Sequence, residues 1–156
     1  MFDIKISGGT IVDGSGQDQF LGDIGVIGDR IASIGDLSDA SAHQKIDATG
    51  LSVLPGFIDT HSHADGVLLK EPQGIHSIRQ GVTSEILTQD GMGWAPLDSA
   101  NYRSHARYLA GILGDPPLDL DMSSISALRG HYDCKTGPNV AVLVPHGPVR
   151  LSVLGF

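Results

Sequence analysis

Cysteine occurs once among the 156 residues, at Cys134, so no intrachain disulfide can form and nothing points to an oxidising compartment. Basic residues are also scarce. Ten Lys and Arg against eighteen Asp and Glu leave a net charge of −8, and the ten are scattered singly. Without a basic stripe to replace the counterions of a phosphate backbone, an electrostatic nucleic-acid partner is excluded. No apolar run reaches membrane-spanning length. The start, Met1-Phe-Asp-Ile-Lys-Ile-Ser-Gly-Gly9, has no basic region followed by a long apolar one, as a secretory leader would. The expectation is a soluble, cytoplasmic protein with neither a nucleic-acid nor a membrane partner.

Hydrophobic residues make up 40% of the chain and charged residues 18%, which is the balance of a globular protein rather than a disordered one. The length allows one ordinary domain, or one plus part of a second. Two patterns divide it. In residues 1–54, Phe2, Ile4 and Ile6 alternate with Asp3 and Lys5, and Gly8-Gly9 suits a turn into Thr10–Asp13. A second hairpin is predicted from Asp23–Ile27 and Arg30–Ile34 around Gly28-Asp29, and a third turn at Ala48-Thr-Gly50 between Lys45–Asp47 and Leu51–Val53. These residues read as a small antiparallel β unit with a scaffolding role.

In residues 55–156 the pattern becomes strand then helix. Val53, Leu54, Phe57 and Ile58 read as a short buried strand, Glu71–Gln80 as a helix stopped at Gly81, Val82–Thr88 as a second strand, and Ser99–Leu113 as a helix. A short helix is expected over Ser123–Arg129. Asn139–Val144 reads as a third strand, nearly all apolar as if both faces were covered. Each strand has polar side chains at its carboxyl end: His61 and His63, then Gln89 and Asp90, then His146. That is where active sites lie in parallel (β/α) barrels. The fold class is therefore α/β: three strand-helix units of an incomplete TIM-type (β/α) barrel, preceded by part of a small β sandwich. A closed barrel takes about 250 residues.

The most informative stretch is Leu54-Pro-Gly-Phe-Ile-Asp-Thr-His-Ser-His63. On an extended strand His61 and His63 point the same way, roughly 6.6 Å apart, and two imidazoles so placed make half of a zinc site. The alternative is a pair of unrelated surface histidines. Asp65 suits either an orienting or substrate-contacting role beside the histidines or a helix cap. His146 lines a pocket or is a hydrogen-bonded structural histidine. Trp94 walls the pocket or packs in the core. His131 and Cys134 have a His-x-x-Cys spacing but no second pair, so they carry no zinc-finger signature.

With these residues placed, the chain resembles the N-terminal portion of the amidohydrolase superfamily and, within it, the N-acyl-D-amino-acid deacylases, or D-aminoacylases. The resemblance rests on Ser7-Gly-Gly-Thr-Ile-Val-Asp-Gly14, Ile46-Asp-Ala-Thr-Gly50, Pro55-Gly-Phe-Ile-Asp-Thr-His-Ser-His63 with Asp65, Arg79-Gln-Gly-Val-Thr83, and His146-Gly147 with Arg150. It implies zinc, one or two ions in the complete enzyme, with His61 and His63 as ligands. Many D-aminoacylases place a cysteine ligand in an Asn-Cys-Gly turn where this chain has Gln89-Asp90-Gly91. Asp90 thus stands at a ligand position, and a carboxylate binds zinc at about 2.0 to 2.2 Å; its other reading is support of the Gly91 turn.

The implied reaction is hydrolysis of the amide bond of an N-acyl-D-amino acid, a small-molecule substrate, using water activated by zinc. The general-base aspartate is expected beyond residue 156, so the 156 residues alone are expected to be inactive. The competing reading is a non-catalytic remnant or a split subunit that takes a complementing chain or self-associates through exposed barrel edges. Among enzymes the alternative is a dihydroorotase- or hydantoinase-like cyclic amidohydrolase.

Overall fold

The computed structural model describes residues 1–155, and they form two compact units, Met1–Pro55 and the residues from Gly56 onward. The molecule is mixed α/β.

In the first unit the alternation of Phe2, Ile4 and Ile6 continues through the glycine pair, so a single ten-residue strand, β1 (Phe2–Ile11), replaces the predicted first hairpin. Its partner is β2 (Phe20–Ile27), antiparallel, with the register slipping between Ile6 and Gly9. Gly8-Gly9 therefore makes a bulge, not a turn. Close approach explains the glycines: a Cβ on Gly9 would lie 2.5 Å from Val53 Cγ2, and one on Gly8 2.9 Å from Thr49 Oγ1. Asp23 fills the bulge by accepting the Gly8 N–H at 2.9 Å, and its other oxygen is 3.6 Å from the buried Lys5 Nζ.

The hairpin over Gly28-Asp29 forms as expected, joining β2 to β3 (Arg30–Gly35). The third turn does not make a hairpin. β4 (Ala42–Asp47) and β5 (Ser52–Val53) both run parallel to β1 along its other edge, so the sheet is mixed rather than antiparallel. The Ala48–Gly50 detour is held to β1 by the Ala48 N–H on the Ser7 carbonyl, 2.8 Å, and the Thr10 N–H on the Leu51 carbonyl, 2.9 Å. Two strands on one edge can follow one another in the same direction when the detour matches a bulge in their neighbour.

The predicted strand over residues 53–58 is split by Pro55-Gly56. Val53 belongs to β5, and β6 (Phe57–Asp59) begins the second unit. β6, β7 (Val82–Leu87) and β8 (Asn139–Val142) form a three-stranded parallel sheet in the order β6-β7-β8. β6 is not buried: Phe57 is 53% and Ile58 63% exposed, because the strand has β7 as its one neighbour. β8 is likewise covered on one face. Val140 and Val142 pack on the core while Asn139 and Ala141 are exposed.

The predicted helix over 71–80 is replaced by two short ones, α1 (Asp65–Lys70) and α2 (Ile75–Ile78). Pro72 cannot continue a helix, and Gly74 at φ 56 redirects the chain. α3 (Ser99–Leu113) forms as its periodicity predicts, burying Tyr102, Ala106, Leu109 and Leu113. Asp98 caps it by accepting the N–H groups of Ala100 and Asn101, and Gly114 at φ 83 ends it.

α4 (Ile125–Tyr132) starts at Ser124, whose Oγ accepts the Ala127 N–H at 3.0 Å. Ser124→Ala is expected to cost about 1 kcal/mol, read as a lower urea midpoint with an unchanged slope. α5 (His146–Leu154) follows β8. The core joins Leu87 of β7 to the inner faces of α3 and α4, with Trp94, Leu97 and Met122 supplied by the connecting loops. Among the described residues no helix is long and apolar enough to cross a membrane.

Candidate metal centre

β6 ends at Asp59, so His61 and His63 stand in the loop after the strand rather than on it. Period-two alternation is nevertheless kept, because Ser62 between them is pinned to β7. The Ser62 N–H donates to the Ile86 carbonyl at 3.2 Å, and its hydroxyl donates to Glu85 Oε2 at 2.5 Å. With Ser62 turned inward, the rings on either side turn outward together, 5.2 Å apart and nearly perpendicular at 79°. Asp59 Oδ1 accepts the His61 N–H at 3.1 Å and closes the turn.

The third group comes from the end of β7. Thr88 (φ 62) and Asp90 (φ 57) both adopt the left-handed conformation, which is costly for a β-branched threonine. Several bonds hold it there. The Thr88 N–H donates to Asp65 Oδ1 at 3.0 Å, and its hydroxyl reaches the Leu143 carbonyl at 2.6 Å. The tight turn aims Asp90 back at the histidines. Asp90 Oδ2 lies 3.2 Å from His61 Nε2 and 3.2 Å from His63 Nε2, and the three donor atoms all fall within 4.8 Å of one another. His61 and Asp90 are open to solvent, while His63 is half-buried with its Nδ1 lacking any hydrogen-bond partner among the described residues. The polar contact of that ring is thus made at Nε2, facing Asp90.

Two imidazole nitrogens and a carboxylate oxygen converging from one side match the donors and open geometry of a divalent transition-metal site. Among the described residues this is the one such grouping of three or more His, Cys, Asp or Glu.

Beneath the trio lie two buried acids, Asp65, a candidate from the sequence, and Glu85, which the sequence reading does not single out. Asp65 is fully buried at the start of α1, but Ala64 is the capping residue and makes no side-chain cap, so Asp65 is not a helix cap. Its carboxylate braces the β7 turn through Thr88 instead, and its carbonyl accepts the Tyr132 hydroxyl at 2.9 Å. Burial pushes the Asp65 carboxyl up to about 7, against the lowering effect of the Thr88 N–H and with a smaller upward push from Glu85. Glu85, 1% exposed, sits on the same face of β7 as Leu87. A lone acid at an inward position of Val82–Leu87 was the readable signal for it.

His146 opens α5 beside the turn. A Cβ on Gly91 would be 3.4 Å from His146 Cβ, yet the histidine is not one of the converging groups. Trp94 is completely buried, edge-on to Tyr102 at 6.2 Å, and belongs to the core. His131 Nε2 meets the Asp121 carbonyl at 2.8 Å, whereas Cys134 is exposed beside Asp133, so the two make no shared site. A cavity of about 510 Å³ between α4 and β8 is lined by Arg129, Cys134 and Asn139 among others and by none of the trio.

Comparison with known proteins identifies the family. The family model described as "Amidohydrolase family" matches residues 44–131, more than half of the chain. A D-aminoacylase from Alcaligenes xylosoxydans xylosoxydans is 38% identical over 166 residues, covering 98% of this chain and 31% of the relative. An N-acyl-D-glutamate deacylase from the same organism is 39% identical over 153 residues, covering 97% of this chain and 30% of the relative. Among solved structures, an N-acyl-D-glutamate deacylase from Bordetella bronchiseptica, complexed with zinc and a phosphonate inhibitor, superposes with a TM-score of 0.84 at 34% identity. It covers 98% of this chain and 31% of that one. The chain thus spans about a third of the length of the relatives it matches. It belongs to the amidohydrolase family.

Proposed function

We propose that these residues form part of a zinc-dependent deacylase that hydrolyses the amide bond of N-acyl-D-amino acids, with His61, His63 and Asp90 as zinc ligands. One observation carries the reading: two Nε2 atoms and a carboxylate oxygen from successive strand ends meet within 4.8 Å. Zinc bound there would lower the pKa of water to about 7 and polarise the scissile carbonyl. The chain's own residues set the geometry. Ser62 turns both rings outward, Thr88 and Asp65 hold the β7 turn, and Asp90 supplies a hard oxygen donor at the position where the family resemblance implies a cysteine in many members. A carboxylate in that place makes the site less zinc-selective than sulfur would.

The parallel β6-β7-β8 order, the polar groups at each strand's carboxyl end and the exposed Phe57 and Ile58 support reading residues 55–156 as the first three units of a (β/α) barrel. In the same reading residues 1–54 contribute part of a β sandwich. The general-base aspartate and the remaining ligands would come from segments outside this sequence, with Asp65 and His146 near the pocket in supporting positions. On that account the 156 residues alone do not turn over substrate, and the edges of β6 and β8 are where further chain or a complementing chain would pair.

The deacylase reading is favoured over a cyclic amidohydrolase by coverage. The deacylases match 97–98% of this chain, whereas an L-hydantoinase from Arthrobacter aurescens matches 56% at a TM-score of 0.50. The test is an assay of the full-length protein with matched N-acyl-D- and N-acyl-L-amino acids and with a hydantoin, before and after chelation. Zinc-dependent release of the D-amino acid is expected. Turnover of the hydantoin alone would contradict the reading.

A further inference from the structure

We propose that Gln89 is a positioning residue for the metal trio: its side-chain amide ties the two strand ends that carry the ligands into one register. The inference rests on the metal-site reading above. Gln89 is buried immediately before Asp90, and Nε2 donates both of its hydrogens, one to the Thr60 carbonyl at 2.9 Å and one to the Ile86 carbonyl at 3.0 Å. Thr60 immediately precedes His61. The Ile86 carbonyl also accepts the Ser62 N–H at 3.2 Å, and Ser62 is the residue between the two histidines.

One amide group therefore reaches the backbone on the histidine side and the backbone of β7, while its own Cα lies next to the carboxylate ligand. The orientation of the amide is fixed by chemistry, because turning it over would set Oε1 against two carbonyl oxygens. No other side chain in the turn bonds to the backbone of both strand ends among the described contacts: the Thr88 hydroxyl reaches the Leu87 and Leu143 carbonyls, the Asp65 carboxylate accepts the Thr88 N–H, and the Ser62 hydroxyl reaches Glu85. Gln89 does not face the metal position itself, so its effect is on where the ligands stand.

Gln89→Met keeps the volume and removes both donors; Gln89→Glu keeps the shape and replaces them with acceptors. The test is cobalt(II) titration of the full-length protein, following the visible absorption bands and the dissociation constant, with circular dichroism as the check on folding and His61→Ala as the control. The expected result is a folded Gln89→Met protein that binds cobalt about 10- to 100-fold more weakly, with shifted bands. An unchanged affinity and spectrum in Gln89→Met, while His61→Ala loses cobalt, would overturn the proposal and leave the metal site standing. Should Gln89→Met not fold, Gln89→Glu is read by the same criteria. If neither folds, the amide serves the fold and the proposal falls. If His61→Ala binds cobalt as the parent does, the metal reading itself falls and takes the proposal with it.

Discussion

Alanine at His61 or His63 is expected to lower zinc affinity by more than about 100-fold in the full-length protein, exceeding the 10- to 100-fold cost usual for a residue that only supports a ligand. Each substitution removes one of the two nitrogens that stand 3.2 Å from Asp90 Oδ2 and leaves the remaining pair too few to hold the ion. Neither side chain is part of the hydrophobic core, so the loss of metal should come without loss of the fold. Zinc per protein after dialysis, measured by elemental analysis, separates these variants from His131→Ala. That histidine bonds to the Asp121 carbonyl and should leave the zinc content unchanged. Full zinc in the His61→Ala and His63→Ala proteins would refute the ligand assignment.

A second large effect is expected at Asp65. Its carboxyl pKa is pushed from 3.8 to about 7 in the folded state, chiefly by burial. The sign follows from proton binding: between these two values the folded state holds a proton that the unfolded state has lost, so stability falls as pH rises. Below pH 3.8 the group carries no such penalty, and above about pH 7 the penalty is complete, on the order of 4 kcal/mol. Asp65→Asn keeps an oxygen to accept the Thr88 N–H and removes the charge. With metal chelated, the stability of Asp65→Asn relative to the parent should therefore rise by about 2 to 3 kcal/mol between pH 5 and pH 8. Urea unfolding across that range checks it. A difference that does not vary with pH would show that the buried carboxyl is not the titrating group.

Local pattern made much of the fold legible. The 3.6-residue spacing of Tyr102, Ala106, Leu109 and Leu113 marked α3, and the Gly28-Asp29 pair marked a hairpin, because in both cases the deciding interactions lie within a few residues. Where neighbours distant in sequence decide, the reading went astray. Gly8-Gly9 looks like a turn until Val53 and Thr49 are seen pressing on it, and the direction of β4 and β5 depends on which edge of β1 they join. The break after Lys70 was signalled by Pro72 and could have been read from it. Exposure of β6 could not, since an apolar strand carries the same composition whether or not a neighbour covers it.

The site divides along the same line. A His-x-His after an apolar strand is a local signal, and it drew attention to residues that the structure does bring together. Ser62, Gln89 and Thr88 act through bonds to groups from 3 to 55 residues away, for which a single sequence offers no spacing rule. Asp65 was noticed for its place beside the histidines. Its bond to Thr88, 23 residues on, became visible only with β6 and β7 side by side.

The central claim is that zinc is held at the His61, His63 and Asp90 strand ends. It is tested most directly by anomalous diffraction at the zinc edge from crystals of the zinc-loaded full-length protein. The account predicts a peak about 2.0 to 2.2 Å from His61 Nε2, His63 Nε2 and an Asp90 carboxylate oxygen. A peak lying only elsewhere, for example against His131, or no peak at stoichiometric zinc, would contradict it.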